Sequence, residues 1–197
     1  MSDRHQSLTE LEDLIRSARE TSLEISRDQL RQWMSSPDLE VQGATYLLLR
    51  ESMKSLRITP PLDADEHLRF RRDYLERCIR EGGEGPWSDS RYEAAWEIAG
   101  WMASVFDDPA TARKVLVGLR DWLATIYREG SPVVRDALVN GTLEHLFERP
   151  KIRRFFNDWR NDPLLAGAFA DASLWAREGG DSPLVGRRKP RPGRKNE

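Results

Sequence analysis

Apolar residues recur at three- and four-residue steps along most of the chain, which is the spacing of amphipathic helices. The first stripe contains Leu8, Leu11, Leu14, Ile15 and Ala18. Ser7 and Glu10 stand at its start with the spacing of a capping box. We therefore predict that the first helix begins at Ser7 and that residues 1–6 are disordered.

Cap residues and prolines place the next helices. Ser26 and Gln29 have capping-box spacing and predict a second helix, and Pro37 suits the start of a third. The pair Pro60 and Pro61 lacks backbone donors and disfavours helix, so a connection is predicted there.

A fourth helix is predicted over residues 64–80. Asp63 and Glu66 are its candidate caps, and Gly82 ends it. A fifth helix is predicted from Ser88, and its wide apolar arc indicates that it is mostly buried. Four later helices begin at prolines, which favour the first helical position. They are predicted over residues 109–128, 132–147, 150–160 and 163–177.

These patterns predict an all-α fold of about nine helices. No strand is predicted, because alternation of apolar and polar residues is nowhere sustained. A compact bundle and a short helical-repeat array of antiparallel hairpins both fit. Residues 7–178 are predicted to form one domain, with N-terminal helices over 7–58 and a core over 62–178. Residues 179–197 are predicted to be a disordered basic tail.

The composition of the chain bears on the number of domains and on the location of the protein. A chain of 197 residues with 39% hydrophobic residues and seven Trp has enough apolar surface for one folded domain. The single cysteine, Cys78, excludes an internal disulfide, and residues 1–10 lack an apolar signal segment, so a cytoplasmic location is expected. No run approaches the roughly 18 apolar residues that a membrane span needs.

Charge is unevenly distributed. Residues 187–197 hold six Lys/Arg and one Glu, which leaves 25 basic and 32 acidic residues, a net charge of -7, in residues 1–186. An acidic surface does not suit nucleic acid, because phosphates require clustered cations. Nucleic-acid binding is therefore expected only through the tail, and a basic protein partner suits the rest of the chain better.

The segment 136–148 places His145 among apolar residues. At about 100° per residue the helix is apolar on most sides, and its polar strip runs from Asp136 to Glu144 and Glu148. His145 and Glu148 are close enough along a helix to interact. We interpret His145 as a core histidine with hydrogen-bonded ring nitrogens. A polar site formed by His145, Glu144 and Glu148 is the alternative.

The sequence contains no recognisable catalytic motif. With only His5, His67 and His145, a histidine-rich metal site cannot be built, and no cofactor is expected. Cys78 occupies a core-facing helix position without a basic neighbourhood, so we interpret it as a space-filling residue. The sequence therefore predicts a protein that is not an enzyme.

Trp96 differs from the other tryptophans, most of which follow core spacing. On the helical wheel it lies toward Glu93 and Glu97. A Trp at the surface beside carboxylates is typical of a partner-binding anchor. We predict that Glu93, Trp96, Glu97, Glu144 and Glu148 take part in partner binding.

Three blocks, at residues 74–101, 119–148 and 155–175, together resemble an uncharacterised family of small bacterial all-helical proteins that are regarded as immunity-like components of toxin systems. The residues that carry the resemblance are Trp87, Asp89, Arg91, Tyr92, Glu93, Trp96, Trp101, Gly141, Leu143, Glu144, His145, Phe147, Trp159, Asp162 and Pro163. The resemblance covers about residues 62–175 and implies a helical fold without a catalytic residue. The tail lies outside it.

These observations predict a non-enzymatic protein-binding module, most specifically an immunity-like protein that binds and neutralises a toxin or effector. The partner would be a protein, such as a basic toxin domain. Two alternatives stay open: a helical-repeat scaffold with several partners, and a hydrolase or metal protein that uses Glu144, His145 and Glu148. The oligomeric state is also open.

Overall fold

A computed structural model describes residues 2–18 and 22–178. These residues form an all-α fold, as predicted, with nine α-helical segments when α7, the π-helical segment and α8 are counted as one. The elements are α1 (Ser2–Ser17), β1 (Leu23–Ser26), α2 (Arg27–Met34), α3 (Leu39–Ser52), β2 (Leu56–Thr59), α4 (Ala64–Glu81), α5 (Arg91–Asp107), α6 (Arg113–Glu129), α7 (Pro132–Ala137), the π-helical segment (Leu138–Leu143), α8 (Glu144–Phe147), α9 (Pro150–Phe155), a 3₁₀ helix (Asn157–Asn161) and α10 (Leu165–Glu178). The predicted tail, residues 179–197, lies outside the described residues.

The first helix begins at Ser2, so the prediction that it begins at Ser7 is wrong. Ser7 lies inside the helix and does not cap it. Two interactions stabilise the added turn: Thr9 Oγ1 donates to the His5 carbonyl at 2.9 Å, and Arg4 Nε lies 2.7 Å from Asp38 Oδ2. The contact between Arg4 and Asp38 joins residues that are distant in the chain, so a local capping pattern cannot predict it.

Two strands correct the prediction of no strand. β1 and β2 pair in parallel, with Leu23 opposite Leu56 and Ile25 opposite Ile58. Each strand has only four residues, too few for alternation to stand out from a helical pattern. The segment that contains α2 and α3 connects them, as a parallel pair requires.

Several predicted caps are confirmed. Ser26 Oγ accepts from the Gln29 amide at 3.1 Å, and Gly82, with a φ of 79°, ends α4. Asp63 caps α4, but Glu66 does not, because its carboxylate binds arginines of α2. The helices predicted from residues 88, 109 and 163 begin two to four residues later, and the one over 150–160 divides into α9 and the 3₁₀ helix.

Helix α5 lies at the centre of the fold. It packs against α4, α6, α7, the π-helical segment and α8, and its residues Ile98 and Met102 are fully buried. In a repeat array each unit contacts only its neighbours along the chain. The packing around α5 is therefore that of a compact bundle. No helix in the described part of the chain is long and apolar enough to cross a membrane.

The helix predicted over 132–147 contains a π-helical segment at its centre. Gly141 allows a close approach to α5, because a Cβ at this position would lie 2.6 Å from the Ala95 Cβ. Thr142 Oγ1 donates to the Ala95 carbonyl at 2.8 Å. The wider π turn rotates the residues that follow it away from a regular 100° wheel. The predicted polar strip is thus broken: Asp136 is exposed, whereas the Glu148 side chain is 8% exposed.

Candidate functional site

Unpartnered buried polar atoms mark where a ligand could supply the missing hydrogen bond. Among the described residues, such atoms are Arg27 Nε, Trp33 Nε1, Arg71 Nε, Arg72 Nε, Glu148 Oε2 and Ser173 Oγ. Glu148 and Ser173 each line a cavity. A buried acceptor or donor without a protein partner costs free energy, so these two positions are the strongest candidates for function.

The first cavity lies between α5 and α8 and has a volume of about 190 Å³. Its lining consists of Ala99, Gly100, Ala103, Ser104, Asp107, His145, Glu148 and Arg149. We call this cavity, together with Trp96 beside it, the α5/α8 seam. The cavity is far larger than the roughly 10–15 Å³ that one buried water needs. It therefore has room for the end of a side chain.

Glu148 is the least satisfied carboxylate of the seam. Its Oε1 lies 3.4 Å from His145 Nδ1, which is beyond the usual length of a hydrogen bond. No donor of the described residues reaches Oε2. The side chains of His145 and Glu148 are only 10% and 8% exposed. The seam thus contains a mostly buried carboxylate with one oxygen that no donor of the described residues reaches.

Trp96 lies beside the cavity, in contact with His145. Its ring packs edge-on against His145, with the centroids 4.7 Å apart and an interplanar angle of 73°. Trp96 is 44% exposed, which confirms its predicted position at the surface. His145 is thus held between an exposed indole and a buried carboxylate, at the edge of the core.

An ion pair lies at the cavity's rim. Arg149 Nη1 on the segment after α8 binds Asp107 Oδ2 at the end of α5. These two charges offset each other. The Glu148 carboxylate has only the 3.4 Å contact with His145 among the described residues, so the seam is suited to a cation.

The structure does not bring Glu93 and Glu97 to the seam. Glu93 belongs to a capping box, where its Oε2 accepts from the Ser90 amide at 2.8 Å, and the hydrogen bonds from Ser90 lower its pKa. Glu97 accepts from the Tyr46 hydroxyl at 3.1 Å and from Arg50 at 2.8 Å. Glu93 therefore has a partner in its own helix cap, and Glu97 has partners on α3.

Glu144 is half-buried, and its carboxylate makes no hydrogen bond or ion pair with another described residue, although its backbone carbonyl accepts from the Glu148 amide at 3.2 Å. The sequence placed it beside Glu148, but the structure gives the two residues different surroundings. The seam also contains Asp107 and Arg149, which the sequence did not indicate. Asp107 and Arg149 are distant from each other in the chain, and no local sequence pattern links them.

The alternative chemistry has little geometric basis. Burial raises the pKa of the Cys78 thiol to about 12, so it is protonated and unreactive at neutral pH. Within residues 2–18 and 22–178, no three His, Cys, Asp or Glu side chains lie close enough together to hold a metal ion. The pair His145 and Glu148 contains only two such groups.

Comparison of the chain with protein-family models, with curated proteins and with solved structures found no match. The function of the seam is therefore inferred from its own geometry and charge.

Proposed function

We propose that this protein is a non-enzymatic protein-binding module that holds a basic partner at the α5/α8 seam. The observation that carries the proposal is the buried carboxylate of Glu148, whose Oε2 lacks a protein donor. Burying a carboxylate without full hydrogen bonding costs free energy and does not help the fold. A lysine or arginine side chain of the partner, entering the cavity, would supply the donor and the opposite charge.

Trp96 supports the proposal through its contact with His145, which lines the cavity. A cationic side chain bound at the seam would have an indole nearby that is 44% exposed. Aromatic rings attract cations, and tryptophans at the centre of an interface often contribute most of its binding energy. The seam thus combines an anchor with a charged group in one place.

The overall charge supports the choice of partner. Residues 1–186 have a net charge of -7, which attracts a basic protein and speeds its association. We propose that the partner is a basic toxin domain or effector that the protein neutralises by occlusion. This is the role that the resemblance to immunity-like proteins implies.

The first step of the test is to isolate the partner from the native cytoplasm with the tagged full-length chain and to identify it by mass spectrometry. The purified partner is then titrated against Trp96→Ala and Glu148→Gln. We expect each variant to bind at least about tenfold more weakly, because each loses an interaction at the centre of the interface. Trp175→Ala is the matched control, since Trp175 is 50% exposed on α10 and lies outside the seam.

A cavity-filling variant tests the seam without removing a charge. Gly100 lines the cavity, and a Cβ built there meets no atom within 4 Å. Gly100→Leu should therefore fold normally but block entry of the partner's side chain. Gly118→Leu is its control, because Gly118 is also open and lies on α6. A basic partner that binds Trp96→Ala, Glu148→Gln and Gly100→Leu as tightly as the wild type would refute the proposal.

A further inference from the structure

A second cavity, formed by α9, the 3₁₀ helix and α10, has the opposite charge. It has a volume of about 380 Å³ and shares no lining residue with the α5/α8 seam. Its lining consists of Arg153, Arg154, Asn157, Arg160, Phe169, Ala170, Ser173 and Leu174. We call it the arginine pocket.

No carboxylate of the described residues neutralises the three arginines. None of their guanidinium groups forms an ion pair or hydrogen bond with another described residue, although that of Arg160 lies 5.9 Å from the Phe169 ring centroid. Nearby carboxylates have other partners: Asp158 binds Arg120 at 2.9 Å, and Asp162 binds Arg128 at 2.6 Å.

This cluster is unexpected in an acidic protein. Residues 1–186 contain 32 acidic and 25 basic residues, so carboxylates outnumber cations, yet three arginines converge without pairing with a carboxylate of the described residues. Like charges that line one pocket repel each other, and an anion between them removes that repulsion.

Ser173 provides an independent indication of a ligand. The residue is 9% exposed, and its Oγ has no hydrogen-bond partner although the side chain lines the pocket. A buried hydroxyl normally finds a partner. An anion held by the arginines would accept a hydrogen bond from it, and the amide of Asn157 offers a further donor.

We propose that the arginine pocket binds a small soluble phosphate monoester. Guanidinium groups bind phosphate oxygens in a bidentate manner, and several of them match a dianion better than the single charge of a carboxylate. The apolar side chains of Phe169 and Leu174, the latter 55% exposed, would contact the organic group of the ester. The cavity volume lies within the range of about 300–1,000 Å³ that is usual for small-molecule sites.

Calorimetric titration of the full-length chain with phenyl phosphate tests the proposal. We expect saturable binding with a stoichiometry of one. Inorganic phosphate, which lacks the ring, and benzoate, which lacks the second charge, should both bind more weakly. The arginine pocket shares no lining residue with the α5/α8 seam, so this titration tests the pocket separately from the proposed protein partner.

Substitutions in the arginine pocket test whether phenyl phosphate binds there. Arg154→Gln combined with Arg160→Gln should weaken phenyl phosphate binding about tenfold or more, and both residues are exposed, so the fold should persist. Ser173→Ala should weaken it by a smaller factor. Arg113→Gln is the matched control, since Arg113 is an exposed arginine on α6. Equal loss in the control would place the anion on general surface charge and overturn the proposal, as would no binding by the wild type.

Discussion

Glu40 and Glu148 are both largely withdrawn from solvent, but their oxygens are used differently. The Glu40 carboxylate accepts from the Trp87 amide at 3.1 Å, from the Ser88 amide at 3.0 Å and from the Ser88 hydroxyl. The Glu148 carboxylate has only the 3.4 Å contact with His145, and its Oε2 has no protein donor.

The difference separates a carboxylate that stabilises the fold from one that does not. Glu40 holds the loop that precedes α5 against α3, and its hydrogen bonds replace those that burial removes. Glu148 loses hydration without equivalent replacement, so the fold gains little from its charge. A polar residue that the fold does not need is a better candidate for function than one that completes a structural network.

The largest expected effect concerns the contact beside Glu40. Gly43 lies on α3 against the same loop, and a Cβ built there would be 2.6 Å from the Trp87 carbonyl carbon and 2.8 Å from the Ser88 Cα. Because both obstacles are backbone atoms, Gly43→Ala should lower the free energy of unfolding by about 3 kcal/mol. Urea denaturation followed by circular dichroism measures it.

Gly118→Ala is the control for that substitution. Gly118 is an exposed residue of α6, and a Cβ there meets no atom within 4 Å. The control should raise the free energy of unfolding by about 1 kcal/mol, because alanine favours helix more than glycine does. Equal stability of the two variants would contradict the close packing of the loop on α3.

The next largest expected effect on stability comes from substituting Glu40 and Glu148, which compares the two carboxylates directly. Glu40→Gln should cost about 2 kcal/mol, since the amide cannot accept from all three donors of Trp87 and Ser88. Glu148→Gln should change stability by less than about 1 kcal/mol, or raise it, because it removes a poorly satisfied buried charge. Thermal and urea unfolding of both variants give the comparison. If Glu148→Gln were the more damaging change, the assignment of Glu148 to function would lose its basis.

The smallest effect is a pH dependence at a third carboxylate. Glu66 Oε1 lies 2.6 Å from Arg31 Nε, and Glu66 Oε2 lies 2.7 Å from Arg27 Nη2. The hydrogen bond from Arg31, aided by Arg27, lowers the pKa of Glu66 from its ordinary 4.5 to about 2. A lowered pKa in the folded state means that the charged form stabilises the fold above the ordinary pKa.

That stability should be lost as the pH falls from about 4.5 to about 2. Glu66→Gln should be less stable than the wild type at neutral pH, and the difference should shrink across this window. Melting temperatures measured from pH 7 to pH 2 test it. Glu84→Gln, at an exposed position, should leave the pH profile unchanged. A constant difference between Glu66→Gln and the wild type at all pH values would contradict the ion pair.

The features that the sequence predicted correctly are local. The cap at Ser26, the cap at Asp63 and the end of α4 at Gly82 each depend on residues within one helical turn. The exposure of Trp96 follows from the periodicity of a single regular helix. Burial of Cys78 follows in the same way. Such features survive in the structure because neighbouring residues alone determine them.

The tertiary structure decided the features that depend on distant residues. The strands β1 and β2 exist because residues 23–26 and 56–59 meet, and each is too short to be recognised alone. Glu97 is occupied because α3 brings Tyr46 and Arg50 to it.

The helical class and the local ends at Ser26, Asp63 and Gly82 thus came from the sequence by itself, since hydrogen bonds within one turn and a repeating apolar face determine them. Only the packing of α5 against the π-helical segment and α8 decided that Trp96 and Asp107 lie beside the His145–Glu148 pair. Gly141 permits that close approach, and the wider turn changes the direction in which the residues after it face. Local periodicity assumes a regular helix, and contacts between helices decide where that regularity ends.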